Sequence, residues 1–105
     1  MSQFQGGDVL VANRVINLMV ASAASRVEGV AEVKGFEKDG EKLRYGAGRY
    51  IETAVEEDAL RTSLMIRVKE ECSIIKTVEA VQREVRREVE SMLGLRCLSV
   101  DVAVI

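Results

Sequence analysis

The chain predicts a two-layer α+β domain with the element order α-β-β-β-α-β and both helices on one face of a four-stranded mixed sheet. Three observations carry this. The second half reads strand, helix, strand: Leu60 to Val68, Ile74 to Leu93 with Gly94 as a stop, then Leu98 to Ile105. An amphipathic helix and alternating strands precede it. The length, 105 residues, suits one domain over 1–105, with 1–8 as a flexible lead. Apolar residues make up 48% and aromatic residues only 4%, so the core must be built from Val, Ile, Leu, Met and Ala.

Asp8 suits the N-cap of a first helix, Val9 to Val27, which Gly29 ends. Projection at 100° per residue gives two apolar stripes. One holds Ala12, Ile16, Met19, Val20, Ala23 and Val27; the other holds Val11, Val15 and Leu18. A short strand follows from Val30 to Lys34, then a charged loop from Phe36 to Gly48. Strands Arg49 to Glu56 and Ala59 to Lys69 are joined by a tight turn at Glu57-Asp58. Alternation sets Ile51, Thr53, Val55, Leu60, Leu64, Ile66 and Val68 against the core. Tyr50, Glu52, Glu56, Arg61, Met65, Arg67 and Lys69 take the opposite face.

Ser73 suits the N-cap of the second helix, whose core stripe is Ile74, Val78, Val81, Val85, Val89 and Met92. This helix is about 30 Å long at 1.5 Å per residue, and the strand before it spans about the same distance. It can therefore lie along the sheet, carrying a parallel crossover. The last strand is expected to point Leu98, Val100, Val102 and Val104 inward, and Cys97, Ser99, Asp101 and Ala103 outward.

Composition excludes several function classes. The net charge is −2, with 15 basic and 17 acidic residues interspersed, unlike the basic excess of general nucleic-acid binders. There is no histidine, the commonest general base and metal ligand. Cys72 and Cys97 are too few for a disulfide scaffold. They fall at opposite ends of neighbouring strands, and Cys97 is expected on the surface. The run Val9 to Val20 followed by Ala21-Ser22-Ala23 mimics a secretory signal. No cation precedes it, however, and Asn13, Arg14 and Asn17 interrupt it, which excludes a signal peptide and a membrane span. A cytoplasmic location is expected.

No catalytic, cofactor-binding or metal-ligating set emerges. Gly46-Ala47-Gly48-Arg49 resembles an anion-cradling loop, but it leads into a strand rather than a helix. The carboxylates Glu56, Glu57, Asp58, Glu70 and Glu71 sit at turns and strand ends, where solvation is the default. The second stripe of the first helix leaves two readings open. Val11, Val15 and Leu18, with Ser22, face either the second helix or another protomer, and Ala21, Ala24 and Ser25 would permit close approach.

Two blocks carry a family resemblance. Val11 to Gly35 includes Ala23-Ala24-Ser25-Arg26-Val27-Glu28-Gly29-Val30. Leu64-Met65-Ile66-Arg67-Val68, Val81-Gln82-Arg83-Glu84-Val85, Val89 to Leu95 and Val100 to Val104 form the second block. Together these resemble the alkaline-shock-protein, or Gls-type, envelope stress response family, apart from the loop Phe36 to Gly48. The resemblance implies a small cytoplasmic, non-enzymatic protein of cell-envelope homeostasis. It also implies self-association and a place near the membrane through a separate anchored protein. The chain ends directly after its last strand, without the charged tails of some relatives, which argues against tail-mediated anchoring.

The function expected is thus a partner-binding or self-associating scaffold without cofactors. The rival is a small nucleic-acid- or ligand-binding domain using a basic sheet face of Arg49, Arg61, Arg67 and Lys69.

Overall fold

The computed structural model describes residues 7–105, with side chains from residue 13 onward. Among the described residues, the chain runs α1 (Gly7–Ser25), β1 (Val30–Val33), β2 (Phe36–Glu37), β3 (Lys42–Leu43), a 3-10 turn (Ala47–Arg49), β4 (Glu52–Glu56), β5 (Ala59–Val68), α2 (Ile74–Leu93) and β6 (Arg96–Val104). β5 is the hub of the main sheet. β4 and β1 pair with it antiparallel, and β6 pairs with it parallel. Leu60 pairs with both Val55 and Cys97, and Ile66 with both Val33 and Val104. β4 and β1 therefore share one edge of β5, end to end, and β6 takes the other.

Both helices lie on one face of this sheet. α1 contacts β1 and β4, and α2 contacts β6 and α1. Ile16 and Val20 of α1 join Val81, Val85 and Val89 of α2 in one cluster with Leu60, Leu64, Ile66 and Val100. Burial of each such side chain is worth about 1.5–3 kcal/mol. Buried Thr62 is satisfied within the layer: its hydroxyl donates to the Glu52 carbonyl at 3.1 Å. The Thr53 hydroxyl in turn donates to Asn17 Oδ1 of α1 at 2.6 Å.

Helix ends follow local chemistry. Ser73 Oγ accepts from the Lys76 amide at 3.2 Å, as its position predicts. Gly94 adopts φ 70 and donates to the Glu90 carbonyl at 3.1 Å, closing α2. α1 differs from expectation at both ends. Gly7 and Asp8 already lie in its first turn, so Asp8 is not the residue before the helix. The rest of the expected flexible lead, residues 1–6, lies outside the described residues. At the other end the helix stops at Ser25. Arg26 and Val27 donate to Ala23 and Ala24, three residues back, and this tightening replaces the last helical turn. Gly29 then has φ 102, and a Cβ there would stand 2.6 Å from Thr77 Oγ1. The α1–β1 corner thus packs against α2 with no room for a side chain.

Four further expectations are corrected. Phe36 to Gly48 is not an irregular loop: β2 and β3 form a small hairpin, buried at Phe36, and the 3-10 turn follows. The fourth strand begins at Glu52 rather than Arg49, because that turn occupies the preceding residues. Cys97 is buried at 6% exposure and Leu98 is 42% exposed, the reverse of the predicted alternation. The register explains this: Leu60 faces Cys97, but Arg61 faces Ser99. Leu98 is the extra residue of a β-bulge, which shifts the pleat by one. Val104, also expected inward, lies 38% exposed near the strand end.

Finally, Ile74 and Met92 are exposed, not core. The buried row of α2 is Thr77, Val81, Val85 and Val89. A row at i, i+4 winds around its helix, so α2 meets the sheet along a ridge and both ends of the predicted straight stripe leave the contact.

Candidate functional site

The face of the sheet opposite the helices carries no covering layer among the described residues. Its side chains fall in rows set by the strand register: Ala54, Arg61 and Ser99; then Glu52, Ser63 and Asp101; then Met65 and Ala103; then Arg67 with Glu32. Glu52, Arg61, Ser63 and Asp101 border an open depression of about 500 Å³ that reaches Asn13 and Asn17 around the sheet edge. The face is flat, with small and charged side chains interspersed.

The four cations expected to form a basic face are not brought together. Arg61 and Arg67 share the outer face of β5, but six residue steps set them about 20 Å apart. Arg67 is engaged by Glu32 at 2.6 Å. Arg49, from the 3-10 turn, borders the outer face beside Glu52, Ser63 and Asp101, whereas Lys69 lies beyond the end of β5. Glu52 and Asp101 occupy the row next to Arg61. A phosphate backbone is held by a continuous positive track, and here acids interrupt it.

The α1 stripe also divides. Val11 lies outside the described side chains. Val15 is 54% exposed, so α2 does not cover it. Leu18 is half-buried against the core. Ser22 supports its own helix end: its Oγ accepts from Arg26 Nη1 at 2.9 Å, and Arg26 reaches Glu88 of α2 at 3.5 Å. The small residues expected to admit another protomer serve a different purpose. Ala21 and Ala24 are fully buried and Ser25 is nearly so, within this chain. Lys38, in the β2–β3 turn, donates to the Ser25 carbonyl at 3.4 Å, so the hairpin lies against this part of α1.

The third surface was not anticipated from the sequence. The free edge of β6 is met by a polar row on α2. Gln82 Nε2 donates to the Val100 carbonyl at 3.1 Å, Arg86 Nε to the Cys97 carbonyl at 3.4 Å, and the Cys97 amide to Glu90 Oε2 at 3.1 Å. In sequence these three read as part of the solvated polar arc of α2. The signal that would have found them is spacing: each follows a buried valine (Val81, Val85, Val89) by one residue, at steps of four.

The remaining candidates resolve into structure. Burial pushes the Cys97 thiol above its ordinary pKa, with the Arg86 guanidinium opposing and the Glu90 carboxylate adding to the rise. Cys72 is half-buried beyond the other end of β5, far from Cys97. Ala47 of the glycine-rich turn packs beneath Gly35, where a Cβ would meet it at 3.2 Å. Glu56, Glu57, Asp58, Glu70 and Glu71 are exposed, and Asp58 faces Arg96 at 3.4 Å. Among the described residues, no three Cys, Asp or Glu side chains gather as a metal site would require, and no helix is long and apolar enough to cross a membrane.

Comparison with known proteins adds a family and a fold. Residues 1–105 match the model of the alkaline shock protein family, described as having a cell envelope-related function. The uncharacterized protein YqhY of Bacillus subtilis (strain 168) is 28% identical over 102 residues, covering 94% of this chain and 76% of YqhY. Among solved structures, a doubly substituted MamM CTD aligns with a TM-score of 0.60 at 19% identity, over 87% of this chain and 79% of that one. A triply substituted MamM CTD aligns with a TM-score of 0.55 at 17% identity, over 95% and 96%. At such identities the likeness is one of fold.

Proposed function

The chain is a member of the alkaline shock protein family, whose function is cell envelope-related, and from that premise we propose that it is a non-enzymatic scaffold of envelope homeostasis and the envelope stress response. It acts by associating with itself and with a membrane-anchored protein from the cytoplasmic side. The observation that carries this reading is the uncovered sheet face, and Val15 on α1 adds a separate exposed apolar position. Flat, solvent-open faces of mixed polarity suit recognition of another protein surface, where area and fit supply the affinity. Small-molecule chemistry favours concave sites with converging polar groups.

The test is cell fractionation under envelope stress, with wild type and Val15→Glu. Wild type is expected in the membrane fraction, cross-linked to an integral membrane protein. Val15→Glu is expected to move to the soluble fraction with an unchanged circular dichroism spectrum, since the position is exposed. Wild type found wholly in the soluble fraction, or a salt-dependent gel shift with RNA, would overturn the reading.

A further inference from the structure

The polar row on α2 protects only half of the β6 edge. Outward-facing backbone groups on β6 fall at Cys97, then at Val100, Val102 and Val104 beyond the bulge. The Ile105 amide points the other way, donating to the Ile66 carbonyl at 2.9 Å. Gln82, Arg86 and Glu90 reach Cys97 and Val100. Continuing the same row toward the start of α2 gives Val78 and Ile74. Four helical residues rise about 6 Å and two strand residues about 6.6 Å, so Val78 comes level with Val102 and Ile74 with Val104. The row changes from polar to apolar there. Aliphatic side chains cannot cap amides and carbonyls, so the edge at Val102 and Val104 is bare beside an apolar shelf. Ile74 is 55%, Val104 38% and Ile105 54% exposed.

An open strand edge is a pairing template unless charge, proline or covering blocks it. We infer that the Val102–Val104 segment pairs antiparallel with the same segment of a second copy of this chain, about a two-fold axis at Ala103. This rests on the self-association reading above and names its surface. In that register Val102 faces Val104 of the second copy and exchanges both backbone hydrogen bonds with it. Ala103 faces Ala103, and Asp101 faces Ile105, so no like-charged side chains meet. The two apolar shelves at Ile74 then flank the new pair, and the sheets join into one.

Charge argues against the other free edge. Among the described residues β4 is paired only with β5. Self-pairing of β4 about Ala54 sets Glu52 opposite Glu56, twice, and like charges directly opposite destabilise a ladder. Pairing β4 antiparallel with β6 of the next copy, Val55 against Val102, sets Glu56 opposite Asp101. The β6 segment against itself carries no such conflict.

Site-directed cross-linking of the full chain tests this, in a Cys72→Ser background with buried Cys97 retained. Ala103 stands in a non-hydrogen-bonded pair, where Cα atoms lie about 4.5 Å apart, within disulfide range. Ala103→Cys is expected to give a covalent dimer as the main species under mild oxidation, while Ala54→Cys stays largely monomeric. Sedimentation of an Ile74→Lys variant is expected to show dimerisation weakened at least about tenfold. A wild type that self-associates while Ala103→Cys fails to cross-link overturns this interface and leaves the scaffold reading intact. Preferential cross-linking at Ala54→Cys does the same. A wild type that sediments as a monomer at every concentration overturns both.

Discussion

α1 and α2 are nearly equal in length, 19 and 20 residues, yet they are buried in opposite ways. The buried residues of α2, Thr77 to Val89, span about 120° of its circumference at 100° per residue, and the opposite arc carries Lys76, Glu79, Arg83, Arg86, Arg87 and Glu90. Those of α1, from Ala23 around to Ser25, span about 200°. α2 rests on a sheet. α1 is enclosed by the sheet below, α2 on one flank and the β2–β3 hairpin at its C-terminal end. Enclosure on several sides requires small side chains, and α1 supplies Ala21, Ala23, Ala24 and Ser25. The lesson is that small residues on a wide apolar helix can mark internal packing as readily as an intermolecular seam.

The strongest challenge to this contrast is at the joint of the two helices. Gly29→Ala places a Cβ against Thr77 Oγ1 and forces an L-residue into φ 102. A loss of about 3 kcal/mol is expected, read as a lowered urea midpoint. The enclosure itself is tested by placing a leucine on each helix. Ala24→Leu overfills a fully buried site and should cost about 2 kcal/mol. Arg83→Leu, on the exposed arc of α2, should stay within about 0.5 kcal/mol. Equal effects at the two positions would erase the contrast. The smallest effect concerns the α2–β6 contact. The Cys97 thiol is neutral and buried in the folded chain, with its pKa raised by burial first. The unfolded thiol ionises at about 8.5. The stability this group contributes is therefore complete below that pH and falls as the pH rises from there toward the folded pKa. Cys97→Ala should flatten that part of the alkaline limb in denaturation curves recorded across pH.

Most of the architecture was legible because it obeys period and punctuation. Ser73 and Gly94 bracket α2, alternation places Leu60, Leu64 and Ile66 inward, and the helical crossover implies the parallel β5–β6 pair. What was not legible depends on partners distant in sequence. The bulge at Leu98 exists only relative to Leu60 and Arg61, so a simple alternation inverted Cys97 and Leu98. The β2–β3 hairpin is two residues per strand, too short for a periodic signal. Of the candidate surfaces, Val15 is exposed as the interface reading requires, whereas Leu18 and the small residues turn inward. The basic face dissolved because Glu32 reaches Arg67 across a strand pair that sequence alone does not register. The edge-capping row on α2 was hidden because a glutamine, an arginine and a glutamate at steps of four look like any solvated arc.

The place of β5 also governs how the molecule comes apart. Its link to β4 closes over a two-residue turn at Glu57 and Asp58, whereas β1 and β6 must return from far along the chain. Loop closure of that kind is slow, so the β4–β5 ribbon is the natural first element to form and β1 a late arrival. Once all three neighbours are in place, β5 cannot be exposed without releasing each of them. The amide protons of Leu60 to Ser63, held between β4 and β6, are therefore expected to exchange with solvent more slowly than those of the edge strands.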